Sequence, residues 1–84
     1  MTIKLRPTTT RNHLARDPKT APEVFAYSVV VNGDWWGAIS GYPYANDQQA
    51  AALKAAKNHA TQGYEDDYDW TTDTDGVVHG TRRR

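Results

Sequence analysis

Hydrophobic positions concentrate in three segments of the chain, and the first has the pattern of a β-hairpin. Residues 24–31 are rich in β-branched and aromatic side chains, and residues 34–40 repeat this character after Asn32 and Gly33. Asn-Gly is the preferred pair for a two-residue type I′ turn, because both central positions need a positive φ. The predicted register pairs three residues of each strand: Val31 with Asp34, Val30 with Trp35 and Val29 with Trp36.

The second segment, residues 48–62, has the composition of an α-helix. Alanine, the best helix former, dominates it. Asn46 or Asp47 stands where a side chain can cap the first turn, and Gly63 stands where a left-handed C-cap is expected. The spacing predicts one buried stripe and one outward-facing set. The stripe is Gln49, Ala52, Leu53, Ala56 and Ala60, and the outward set is Lys54, Lys57 and Asn58.

The third segment predicts a second hairpin. Residues 67–74 alternate aromatic or threonine positions with polar ones, as a strand with one polar face does. Asp75-Gly76 indicates another type I′ turn, and residues 77–81 would return as a short strand. The order of elements is then ββαββ. We therefore predict an α+β fold in which one Ala-rich helix packs on one face of a small antiparallel sheet.

The remaining residues are expected to flank this domain. The domain itself is predicted to span residues 24–81. Residues 1–23 contain three prolines and read as an extended basic arm, to which Ile3 and Leu5 could add an edge strand. Residues 82–84 form a basic tail.

Composition narrows the class of protein. Val, Ile, Leu and Phe supply only twelve residues, so nine aromatic residues must provide much of the core, with rings packed on alanines. The chain has no cysteine, which excludes a disulfide scaffold, a Cys-based zinc site and a thiol nucleophile. No window approaches the ~20 apolar residues of a membrane span, and the first residues lack the apolar stretch of a signal peptide. We expect a cytoplasmic protein without membrane contact.

The formal net charge of zero conceals four charged blocks. Residues 1–20 carry +4, residues 21–64 carry −1, residues 65–75 carry −6 and residues 76–84 carry +3. Alternation predicts that four aspartates of the acidic block share one face of a strand. Such a row could discourage sheet aggregation, or it could steer the protein onto a basic groove. The four residues are Asp67, Asp69, Asp73 and Asp75.

Both faces of the first hairpin are predicted to be apolar. One face would hold Phe25, Tyr27, Val29, Val31, Trp36 and Ala38, and the other would hold Val24, Ala26, Val30, Trp35 and Ile39. A single helix covers only one face, so the other must meet the arm, a second subunit or a partner. Trp35 or Trp36 is the candidate anchor for a partner, and Tyr42 and Tyr44 could extend the patch.

Basic residues beside exposed aromatic rings also suggest nucleic acid, since bases stack on rings and cations follow phosphates. The candidate cations lie on the arm, the helix and the tail. They are Arg6, Arg11, Arg16, Lys54, Lys57, Arg82, Arg83 and Arg84. The alternative interpretation is a solvated set of charges, because no sequence motif of an RNA-binding domain is present.

No catalytic or metal-binding motif is visible, so we expect neither enzymatic activity nor a cofactor. The leading hypothesis is a small binding module that docks on, or blocks, a protein or ribonucleoprotein partner through an acidic, aromatic surface. Accessory proteins of phages and mobile elements that inhibit a host nucleic-acid-handling complex, as anti-CRISPR and other anti-defence proteins do, are typically of this size and charge pattern. Direct nucleic-acid binding and a structural homodimer are the two alternatives.

Overall fold

The computed structural model describes residues 1–12, 16–17 and 22–83, and over these residues it shows an α+β fold with an open antiparallel sheet. One helix packs on one face of the sheet, so the predicted fold class is confirmed. In chain order the elements are β1 (Thr2–Arg11), β2 (Glu23–Val31), β3 (Asp34–Ile39), α1 (Gln48–Thr61), a 3-10 turn (Glu65–Asp67), β4 (Tyr68–Thr72) and β5 (Val78–Arg82).

Strand β1 lies in the centre of the sheet, whose order is β3-β2-β1-β5-β4. The prediction of an edge strand at this position was therefore wrong. Ile3 and Leu5 are buried between β2 and β5, and Leu5 lies opposite both Val29 and Val78. Pro7 is compatible with a strand at this position because β5 pairs only with residues 2–5 of β1. At Pro7 the strand has β2 as its one neighbour, so the missing amide hydrogen breaks no hydrogen bond to β5.

The first hairpin turns as predicted. Asn32 and Gly33 both have positive φ, 52° and 87°, as a type I′ turn requires. The predicted pairs of Val31 with Asp34 and Val30 with Trp35 are confirmed.

A β-bulge then shifts the register of this hairpin. Trp36 and Gly37 together lie opposite Val29, and Gly37 has a φ of 105°, which suits a glycine. Beyond the bulge, Ile39 pairs with Tyr27 and Ala38 pairs with Ser28. The predicted faces of Ile39 and Ala38 were therefore wrong, because one extra residue in β3 exchanges them.

Helix α1 forms for the reasons that the sequence indicates. Asp47 is the N-cap, and its side chain accepts a hydrogen bond from the Ala50 amide at 3.0 Å. The helix ends with Gln62 and Gly63 both at positive φ. Its buried residues are Ala52, Ala56, Ala60 and Thr61, with Leu53 partly buried. The predicted burial of Gln49 was wrong, since this side chain is exposed.

The second hairpin closes with a three-residue loop and not with the predicted two-residue turn. The Asp73 amide donates to the Val77 carbonyl, and the Gly76 amide donates to the Asp73 carbonyl. Gly76 has a φ of 82°, whereas Asp75 lacks the positive φ that a type I′ turn demands. Strand β4 is accordingly shorter than predicted.

The core lies between α1 and the sheet. It joins aliphatic residues of β1 and β2 to the alanines of α1 and to the ring of Tyr68. At the β4 edge the Trp70 ring packs directly on Gly80, where a Cβ would come within 2.5 Å of the ring. Within the described residues, no helix has the length and apolar character that crossing a membrane requires.

Candidate binding surface on the open face of the sheet

The face of the sheet opposite α1 carries the candidate site. Successive residues of a strand point to opposite faces of the sheet, so the residues directly before and after a buried core residue point to this surface. We call this surface the open face. Its exposed part contains Lys4, Arg6, Ser28, Val30 and Trp35. Toward the other end of β2 the same face is buried, at Val24 and Ala26. The accessible surface therefore extends from the first hairpin turn across the centre of β1 to β5 and β4, where His79 lies opposite Lys4.

Trp35 is both exposed and fixed. Its side chain is 68% exposed, yet the indole Nε1 donates a hydrogen bond of 2.9 Å to Ser28 Oγ. Trp35 pairs with Val30, and Ser28 lies two residues further along β2 on the same face. The indole must therefore lie along the surface of β2, with one ring face toward solvent.

Two cations stand on the central strand beside this ring. Lys4 lies opposite Val30, and Arg6 lies opposite Ser28. Both side chains are exposed, and within the described residues neither forms an ion pair. Arg6 is among the candidate cations that the sequence predicts, whereas Lys4 is not. The alternation of Lys4 and Arg6 with the apolar Ile3 and Leu5 was the signal that could have identified both.

Only one of the four aspartates predicted to share a strand face lies within a strand. Asp67 belongs to the 3-10 turn, and only Asp69 lies within β4. Asp73 and Asp75 lie in the loop of the second hairpin. The prediction assumed that the strand continued through this segment, whereas β4 spans only Tyr68–Thr72.

Two of these aspartates also have partners. Asp69 pairs with Arg83 at 3.6 Å. Asp73 Oδ2 lies 2.9 Å from His79 Nε2, and Asp73 Oδ1 accepts from the amides of Asp75 and Val77. The hydrogen bond from His79, supported by those amides, lowers the pKa of Asp73 below its ordinary value. This carboxylate organises the hairpin loop.

Trp36 lies on the opposite side of the sheet from Trp35. Its carbonyl oxygen accepts a hydrogen bond of 3.1 Å from His59 Nε2 on α1, and the two rings meet edge to face. The Trp36 side chain lines a cleft of about 350 Å³ between the end of α1 and the sheet. The other lining residues are Met1, Ala60, Thr61, Gln62, Tyr64, Asp67, Tyr68 and Arg82. The two tryptophans therefore cannot belong to one patch.

Tyr42 and Tyr44 are exposed and contact each other edge to face, with ring centroids 5.6 Å apart. Their loop reaches α1 at Gly41, where a Cβ would come within 2.5 Å of Ala51. Tyr42 lies beside Lys54 of the helix. The pair is thus associated with the helix side of the molecule and not with the open face.

The predicted basic residues are divided between the two sides. Lys54 is exposed on α1, and the Lys57 ammonium lies 5.1 Å from the Trp70 ring centroid. Arg82 lines the cleft. Arg11 and Arg16 are exposed, and Arg84 lies outside the described residues. Of the candidate cations that the structure describes, only Arg6 lies beside Trp35.

Within the described part of the chain, no group of three His, Asp or Glu side chains is arranged to hold a metal ion. No protein-family model, curated protein or solved structure matches the chain. Any functional assignment must therefore come from the geometry of the surface.

Proposed function

We propose that the protein is a non-enzymatic binding module that docks on a macromolecular partner through the open face of its sheet. The observation that carries this proposal is Trp35, which is 68% exposed and held in place by Ser28. Tryptophan is enriched among the residues that dominate binding energy. A ring that is already fixed loses little conformational entropy when a partner covers it.

Lys4 and Arg6 support the same surface. Unpaired cations on a rigid strand steer an anionic partner and speed its association. The acidic row expected to guide docking has less support, since its members are spread over three elements and two of them are paired. Inhibition of a nucleic-acid-handling complex would then proceed by occupying an anionic surface of that complex.

Site-specific photo-cross-linking tests this proposal. A benzophenone amino acid replaces Trp35 in one variant and Lys54, which is exposed on α1, in a second. After irradiation in native lysate, we expect defined adducts from position 35 and none of the same mass from position 54. Identical adduct patterns from the two positions would contradict the proposal.

Capture by affinity pull-down supplies an independent measurement. Trp35→Ala should lose the captured partner, whereas Lys54→Ala should retain it. Both substitutions are on the surface and should leave the circular dichroism spectrum unchanged. Unaltered capture by Trp35→Ala would remove Trp35 as the anchor. A Trp35-dependent dimer in light scattering would instead favour the structural homodimer.

A further inference from the structure

We infer that the partner of the open face is single-stranded nucleic acid, with bases stacked on Trp35 and phosphates held by Lys4 and Arg6. This inference rests on the proposed function, since it names the partner of that same surface. Three features of the face support the inference: the indole N–H already has a hydrogen-bond acceptor, two cations lie nearby, and the surrounding side chains are largely polar.

The indole of Trp35 is a stacking platform. Its only hydrogen-bond donor, Nε1, is already satisfied by Ser28 at 2.9 Å, so the ring offers a partner its π-face and little else. Every base has a π-face, and base–aromatic stacking tolerates any sequence. Stacking also requires an unpaired base, which selects a single strand over a duplex.

The two cations stand where the backbone of such a strand would run. Lys4 and Arg6 are same-face neighbours on β1, about 6.6–6.8 Å apart along the strand. Lys4, Val30 and Trp35 lie side by side on β1, β2 and β3. The backbones of β1 and β3 are two strand spacings, or about 9.5 Å, apart. Arginine and lysine side chains are long enough to bridge part of that interval, so a stacked nucleotide would have its phosphate near β1.

The surroundings favour nucleic acid over an acidic protein. Threonine and serine occupy several of the remaining positions, including Thr8, Ser28 and Thr71. Thr71 lies opposite His79 and two residues from Asp69 on the same face. Protein–protein interfaces have an apolar core from which charged residues are depleted. Nucleic-acid interfaces are more polar and positively charged. The open face is largely polar, and Lys4 and Arg6 supply positive charge at its centre.

Fluorescence anisotropy with labelled oligonucleotides tests the inference. The probes are single-stranded DNA and RNA of about 12 nucleotides, and the DNA annealed to its complement serves as the duplex control. We expect saturable binding to the single strands at low salt and weaker binding to the duplex. A labelled probe is needed because Trp36 and Trp70 would obscure the intrinsic fluorescence of Trp35.

Variants separate stacking from charge. Trp35→Ala should weaken binding roughly five- to 150-fold, and Trp35→Phe, which keeps a ring without the N–H, should recover much of it. Lys4→Ala and Arg6→Ala should each reduce the salt slope of log K by about 0.7. Lys54→Ala, on the helix side, is the matched control and should change neither quantity.

Two results would overturn the inference. One is the absence of saturable binding to any single strand at low salt, and the other is equal affinity of Trp35→Ala and the unaltered protein. The proposed function would survive either result if position 35 still cross-linked to a protein in nuclease-treated lysate. That outcome would identify a protein as the partner. If position 35 formed no specific adduct either, both proposals would fall.

Discussion

The substitution Leu5→Ala tests the central position of β1, on which the open face depends. Leu5 is 0% exposed and packs between Val29 and Val78 on the two neighbouring strands. The change removes three buried carbons, a loss of about 2.4 kcal/mol at about 0.8 kcal/mol each. The cavity left behind adds to this cost, so we expect a loss of about 3–5 kcal/mol in the free energy of unfolding.

Urea denaturation followed by far-UV circular dichroism measures this loss. With a slope of about 1–2 kcal/mol/M, the midpoint should fall by about 1.5 M or more while the slope stays constant. Lys4→Ala, one residue earlier and exposed, is the matched control and should change the free energy by about 0.5 kcal/mol or less. If Leu5→Ala leaves too little folded protein, Ile3→Val should cost about 0.5–1.5 kcal/mol.

The reasoning would be refuted if Leu5→Ala cost no more than Lys4→Ala. An arm without fixed structure would give that result. Residues 1–11 would then not support the open face, and Lys4 and Arg6 would have no defined position beside Trp35.

Three further substitutions test local features. Gly80→Ala places a Cβ against the Trp70 ring and should cost about 1–3 kcal/mol in urea denaturation; no change would mean that the ring moves aside freely. Asp47→Ala removes the N-cap of α1 and should cost about 1 kcal/mol, and an unchanged midpoint would deny the cap. Asp73 has a lowered pKa, so its stabilising effect is present above the ordinary pKa of the carboxyl and is lost as the pH falls through the lowered one. As the pH falls below 3.8, the ordinary pKa of this carboxyl, the unaltered protein should therefore lose more stability than Asp73→Asn, and equal losses would contradict the lowered pKa.

Features set by neighbouring residues could be predicted from the sequence. The Asn32-Gly33 turn needs only two residues with positive φ, and helix α1 needs alanines and a capping side chain at Asp47. Each of these signals is local and has a single structural solution. For that reason the turn, the helix and its cap are where the sequence indicates.

Strand β1 could not be placed in the same way. Its strand pairing joins residues far apart in the chain, as with Leu5 and Val78, and no local pattern specifies such a partner. Pro7 and the threonines at 8–10 also argue for an edge or an arm when they are considered alone. The structure reconciles both facts, because the half of β1 that contains Pro7 has only β2 as a neighbour.

The bulge at Gly37 decides the chemistry of the candidate site. In a regular hairpin, Ile39 would share the open face with Trp35 and Val30 and would give it the apolar character that a protein partner favours. The extra residue in β3 instead turns Ile39 toward Tyr27 and the core, and it brings the small side chain of Ala38 opposite Ser28. On the β3 side, the residue beside Ser28 is then a small alanine. The bulge at Gly37 thus removes Ile39 from the open face, and the lower apolar content that results is one of the observations behind our proposal of a nucleic-acid partner.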